Sequence, residues 1–171
     1  LYSVFHLGDA TNNVSWQSYQ ELAALPQVKW AVPLSLGDSW RGHRVIGTSG
    51  GYFDHYRYGA GHALQFAQGR GFDDLYDAVL GADVARAQRV GVGDTLVLAH
   101  GAGAVTLATH ADKPFRVSGV LQRTGTPVDT SVLVSLPAIE AIHLDWRSGV
   151  PMRSQQISAE AARGRDLTPT D

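Results

Sequence analysis

The chain has 171 residues, 44% of them hydrophobic and 18% charged, which suits one folded domain or two small ones. A formal net charge of −2 offers no basic field for nucleic acid or anionic lipid. The absence of cysteine excludes disulfides, a thiolate nucleophile and thiolate-ligated zinc or iron–sulfur sites.

No stretch reaches the ~18 consecutive apolar residues of a membrane span, and the first residues lack the basic start and apolar centre of a signal peptide. Leu1 stands where a start methionine would, and the chain ends abruptly at Asp171, so a piece of a longer protein is expected. Nineteen glycines between Val- and Leu-rich runs indicate many short strands and turns rather than a helical bundle.

In chain order, Tyr2–Leu7 is a short strand ended by Gly8-Asp9. Asn13 or Ser15 caps a helix through Leu25, since Trp16, Tyr19, Leu22 and Ala23 share one face, and Pro26 ends it. Residues 28–32 resume as a strand. Two further strands, within 33–44 and 43–47, flank a turn at Gly37-Asp38 and form a hairpin. The aromatic cluster from Tyr52 to Tyr58 is a turn or two of helix pinned to the core by its rings.

Gly69-Arg70-Gly71 is a turn, Ala78-Val79-Leu80 a buried strand stopped at Gly81, and Ala82–Gln88 a short helix ended by Gly91 and Gly93. Strands follow at 94–99, 104–108, 114–121 and 130–135. Pro137 opens a helix from Ala138 to Trp146, with Ile139, Ile142 and Trp146 at helical spacing. From Arg147 the composition turns polar and charged, with one short helix at Ala159–Ala162. The fold class is therefore α+β.

Sites of chemistry are sparse. The glycine clusters complete neither Gly-x-Gly-x-x-Gly nor a P-loop, and Gly47-Thr48-Ser49-Gly50-Gly51 has the wrong spacing for a nucleophile elbow. No catalytic residue and no cofactor follow from the sequence. The aspartates read mostly as caps and turn residues, Asp38 among them. Seven histidines are present, yet no His-Glu-x-x-His spacing. The best metal candidates are His100, His110 and Asp112, which meet if the chain after Gly101-Ala102-Gly103 folds back as a hairpin. His143-Leu144-Asp145 is a weaker pair, because residues two apart on a helix diverge.

An ordered succession carries a resemblance: Tyr19-Gln20-Glu21-Leu22, then Val28 to Pro33, then Val45-Ile46-Gly47-Thr48 leading to Tyr52-Phe53. Gly69-Arg70-Gly71-Phe72 follows, then Ala78-Val79-Leu80-Gly81-Ala82-Asp83-Val84-Ala85, Gly93-Asp94-Thr95-Leu96, Phe115 to Leu121 and Thr130 to Leu136. Together they resemble the periplasmic core domain of MacB-like and FtsX-like ABC transporter permeases. The resemblance implies a two-lobed extracytoplasmic domain. An α/β membrane-proximal lobe would begin in 1–74, a β-rich lobe would be inserted at 75–146, and 147–171 would be a polar return segment.

It further implies a non-enzymatic domain on the periplasmic side of the bacterial inner membrane that transmits ATP-driven motion to an export substrate or periplasmic partner. The implied partners are the flanking transmembrane helices of the same permease, a cytoplasmic ABC ATPase, a periplasmic adaptor or lipoprotein, and a second copy in the full-length transporter, with no nucleic acid. Departing from that pattern, this chain is rich in His and aromatic residues, which raises the expectation of a metal or metal-carrying ligand. The alternative reading is a periplasmic small-ligand or metal-binding module.

Overall fold

The computed structural model describes residues 13–100, 108–144 and 157–169, with 108–109, 146–147 and 150–151 described by backbone alone. The strand expected at 2–7 lies outside the described residues. Ser15, of the two expected caps, begins α1 (Trp16–Ala23), its hydroxyl accepting from the Ser18 N–H. The helix is two residues shorter than expected and none of its residues is buried. Trp16 and Tyr19 stack on each other at 4.9 Å, while Leu22 is exposed.

Residues 28–32 do not form the expected strand but run as irregular chain. Among the described residues no strand pairs with them, and so none there supplies the cross-strand neighbours that stabilise a pleat. Trp30 is exposed and lies flat on His55, ring centroids 4.7 Å apart.

The hairpin forms, with its turn displaced. β1 (Ser35–Trp40) and β2 (His43–Thr48) pair antiparallel around Arg41-Gly42, whose φ values of 48° and 81° are those a tight two-residue hairpin turn demands. Gly37-Asp38 lies inside β1, where the register shifts between Leu36 and Ser39. That pair is a bulge and not a turn.

α2 (Gly51–His55) buries Tyr52, and Phe53 packs on Phe66 and Phe72. Then follow β3 (Arg57–Tyr58), β4 (His62–Ala63), β5 (Phe66–Gly69), β6 (Asp77–Leu80) and α3 (Ala82–Gln88). The strand expected at 94–99 is two short ones, β7 (Thr95–Leu96) and β8 (Ala99–His100). β9 (Ala108–Thr109) retains only the end of the strand expected at 104–108, the rest of which lies outside the described residues.

β10 (Phe115–Leu121), a 3-10 turn (Pro127–Thr130) and β11 (Ser131–Ser135) lead to α4 (Leu136–His143), capped by the Ser135 hydroxyl with Pro137 in its first turn. α4 stops at His143 rather than at Trp146. Trp146 belongs to β12 (Trp146–Arg147), which pairs with β13 (Val150–Pro151), so strand pairing takes the residue that helical spacing had assigned to the helix. α5 (Ala159–Arg163) closes the described chain.

Nine strands form one mixed sheet in the order β5-β10-β6-β11-β2-β1-β8-β9, with β7 added on β10. β11 runs parallel to β2 and antiparallel to β6. The boundary expected at residue 74 does not interrupt this sheet, since β2 from the first segment pairs with β11 from the second over five residues.

Alternation along the central strands divides the interior in two. Val45, Ala78, Leu80, Val132 and Val134 face one cluster with α3 and α4, while Ile46, Val79 and Leu133 face the other with Tyr52 of α2. In β10 the bulge between Val117 and Gly119 shifts this parity, so that Phe115 and Val117 face the first cluster and Leu121 the second.

Two glycines fix close approaches. Gly69, at φ 70°, turns β5 beneath the Ser118 carbonyl, where a Cβ would collide with backbone. Gly81 has ordinary dihedrals, but a Cβ there would run into the carbonyls of Val128 and Asp129. Asp129 itself is buried and its carboxylate accepts from Thr124 N–H, Thr124 Oγ1 and Gly125 N–H, which locks that turn.

At the chain's end, Arg163 of α5 donates to Asp74 at 2.7 Å and lies over the Tyr76 ring at 5.0 Å. The hydrogen bond from Arg163, helped by the Tyr76 N–H, holds the Asp74 carboxyl below its ordinary value.

Gly81→Ala should destabilise the chain by more than about 2 kcal/mol in urea unfolding, because neither carbonyl can withdraw without moving the 3-10 turn. Gly50→Ala, where a Cβ meets nothing, serves as the neutral comparison. The depressed Asp74 carboxyl stabilises the fold above its unfolded value of ~3.9, and that contribution is lost as pH falls through the lower folded value. Arg163→Ala should bring the Asp74 titration measured by NMR back toward ~3.9 and speed amide exchange in 159–163.

Candidate functional site

The bulge in β1 determines which side chains meet. Leu36, before it, packs in the cluster with Tyr52, whereas Trp40, after it, packs in the cluster under α4. Asp38 shares the face of Trp40 by the two-residue period and therefore points toward α4. It is buried. Directly opposite it in the β1–β8 ladder stands His100, and His100 is in turn opposite Ala108 of β9. The turn after β9 supplies His110, whose N–H donates to the Leu98 carbonyl. α4 supplies His143 from its last turn.

The three imidazoles surround one carboxylate oxygen. Asp38 Oδ1 lies 3.2 Å from His100 Nδ1, 3.6 Å from His143 Nε2 and 3.8 Å from His110 Nε2. The ring of His143 stands nearly perpendicular to those of His100 and His110, with centroids 5.4 and 5.1 Å away. Asp38 and His110 side chains are 4% and 1% exposed, His100 and His143 33% and 26%, so the group is sealed inside and reachable from one side.

Burial alone would raise the Asp38 carboxyl. The imidazoles of His110 and His143, at 3.8 and 3.6 Å, favour the ionised carboxylate and outweigh it, so the net displacement is well below the usual carboxylate range. An ionised carboxylate only accepts, so the His100 nitrogen at 3.2 Å carries the proton and donates.

Of the residues singled out from sequence, His100 and His110 come together here. Asp112 does not join them, because its carboxylate is engaged by the buried Lys113 ammonium at 2.7 Å. Asp38 and His143 take the remaining places. Each left a signal. Asp38 interrupts the alternation Leu34, Leu36, Trp40, and His143 follows Ile139 by four residues on the buried face of α4. His55 stacks on Trp30, His62 lies beside Tyr58 and His43 contacts Gln88, so these three serve elsewhere.

A second concavity of about 590 Å³ opens where Trp16, Tyr19, Leu136, Pro137 and Leu167 face one another, at the end of α4 opposite His143. Its lining is mainly apolar, with Asp166 as the one carboxylate among the described residues.

A mixed sheet with α3 and α4 over one face and α2 over the other defines an α+β domain. No helix among the described residues is long and apolar enough to cross a membrane. The chain belongs to the MacB-like periplasmic core domain family, whose model matches residues 2–170.

Among solved structures it is similar to the periplasmic region of MacB from Actinobacillus actinomycetemcomitans, at 16% identity and a TM-score of 0.48. The match covers 76% of this chain and 58% of that one, so the chain spans less than two thirds of that structure's length. No curated protein matches it significantly.

Removing the Asp38 carboxylate leaves a donor facing an apolar gap. Asp38→Ala should therefore lower the unfolding free energy of the chain in chelator by about 1–3 kcal/mol, read from urea denaturation. Asp54→Ala, at an exposed position on α2, should change it by less than ~0.5 kcal/mol.

Proposed function

We propose that this chain is the extracytoplasmic domain of an ABC transporter permease and that it passes ATP-driven movement to an export substrate or a periplasmic partner. The observation that carries the reading is the family match, which extends over residues 2–170 and so takes in almost the whole chain. The domain does no covalent chemistry itself. Support for this comes from the sequence, which completes no nucleophile elbow, P-loop or dinucleotide fingerprint.

In the assembled permease, the flanking transmembrane helices would carry motion from a cytoplasmic ATPase into the sheet. The sheet would carry it outward as a body, because packed interiors shift between discrete arrangements and resist continuous deformation. Two copies would face each other across the transporter axis, with an adaptor or lipoprotein at the outer end.

The chain contains no cysteine, so a single Asp54→Cys places one spin label on each copy of this domain in the full-length protein. The distance distribution between labels should change between ATP and ADP states in lipid nanodiscs. An unchanged distribution under demonstrated ATP turnover would overturn the mechanical reading, and so would a full-length protein lacking ~20-residue apolar spans on both flanks of this region.

A further inference from the structure

We propose that Asp38, His100, His110 and His143 form a closed four-ligand site for a zinc-class divalent cation. The inference stands independently of the transport reading. In a tetrahedral site with bonds of about 2.0 Å, neighbouring ligand atoms lie roughly 3.3 Å apart. The three nitrogens already lie 3.2, 3.6 and 3.8 Å from Asp38 Oδ1, and all four ligand atoms fall within 4.8 Å of one another. Small ring rotations bring them to bonding distance of one ion. The near-perpendicular rings of His143 and its two neighbours let the nitrogens converge without the rings stacking.

The donor set selects the ion. Three imidazoles and one carboxylate suit zinc and its neighbours in the first transition row. Calcium and magnesium, which require six or more oxygen donors, find a single carboxylate here. Four protein ligands complete the tetrahedron and leave no position for water or substrate, which is the mark of a structural site and not a catalytic one. A ring nitrogen ligates only without a proton, so binding releases to solvent whatever protons the three imidazole nitrogens turn toward Asp38, and the metal takes their place. The cation also sits at the C-terminal end of α4, where the helix dipole favours positive charge.

The consequence is a clamp. Its ligands come from β1, β8, the turn after β9 and the end of α4, so one ion ties the edge of the sheet to the helix that covers it.

The untagged 171-residue chain, stripped with chelator, can be titrated with Zn2+ against a chromophoric competitor and with Co2+ for its visible spectrum. The expected result is one ion per chain with Kd below ~1 μM and the intense bands of four-coordinate cobalt. Losing an outer-shell partner typically costs 10–100-fold in metal affinity, and losing a ligand should cost at least ~30-fold. His100→Gln and His143→Gln, both at half-exposed positions, should show that loss, whereas His62→Gln should leave Kd unchanged.

Circular dichroism checks that each variant is folded, and the cobalt spectrum of the unaltered chain decides even where a variant is not. Three results would each overturn the site: zinc binding weaker than ~10 μM at neutral pH, an affinity indifferent to both ligand substitutions, or the weak spectrum of six-coordinate cobalt.

Discussion

The structure depends on β11 being buried on both faces while paired on both edges. Ser131 to Val134 are all buried, and no polar side chain in that run has to reach solvent. A strand so placed must satisfy its amides entirely by ladder bonds, which it does against β2 on one side and β6 on the other. Because it is parallel to one and antiparallel to the other, the first hairpin and the segment from β6 onward become halves of one sheet. Alternate residues of β11 then serve two separate cores, Val132 and Val134 under the helices α3 and α4, Leu133 toward the aromatic side. A slip of one residue would exchange these faces, so packing on both sides fixes the register.

Strict alternation would leave each strand's faces constant along its length, and at the bulges in β1 and β10 the chain departs from it. In β10 the departure lets a seven-residue strand contribute Phe115 to one core and Leu121 to the other. In β1 it does something of more consequence. Without the extra residue at Gly37-Asp38, Asp38 would share the face of Leu36 and enter the aromatic cluster, where three imidazoles could not reach it. The bulge turns a carboxylate beneath α4, and the partners follow from register and helix phase. His100 is the ladder partner of Asp38, and His143 is the last residue on the buried face of α4.

How far this was legible in the sequence varies with the range of the deciding interaction. Ala82–Gln88, the strands at 77–80 and 115–121 and the short helix near 159–163 follow from local signals, namely apolar or helical runs bounded by glycines and turn residues. The hairpin turn was misplaced because Gly37-Asp38 and Arg41-Gly42 are both sound local turns. Only the pairing of Leu36 with Ile46 and Trp40 with His43 decides between them.

The strand expected at 28–32 has the composition of a strand, and among the described residues it has no strand partner. At the site, His100 and His110 were visible because one hairpin joins them. Asp38 and His143 are separated from each other by more than a hundred residues, and the sheet order that unites them is a tertiary fact.

The same sheet order places the four-residue group at the end of the sheet formed by β1, β8 and β9. The described parts of β8 and β9 are two residues each, and at about 0.5–1.5 kcal/mol net per hydrogen bond the ladder among those described residues contributes only a few kcal/mol. A structural zinc ion contributes on the order of 10 kcal/mol in small domains, far more than those ladders. For a domain proposed to pass on movement, that difference matters. A frayed edge would absorb displacement, whereas an edge tied to α4 moves with the sheet. The central strands need no such aid, because their two cores already hold them, and the carboxylate and imidazoles gather at the edge where the core gives out.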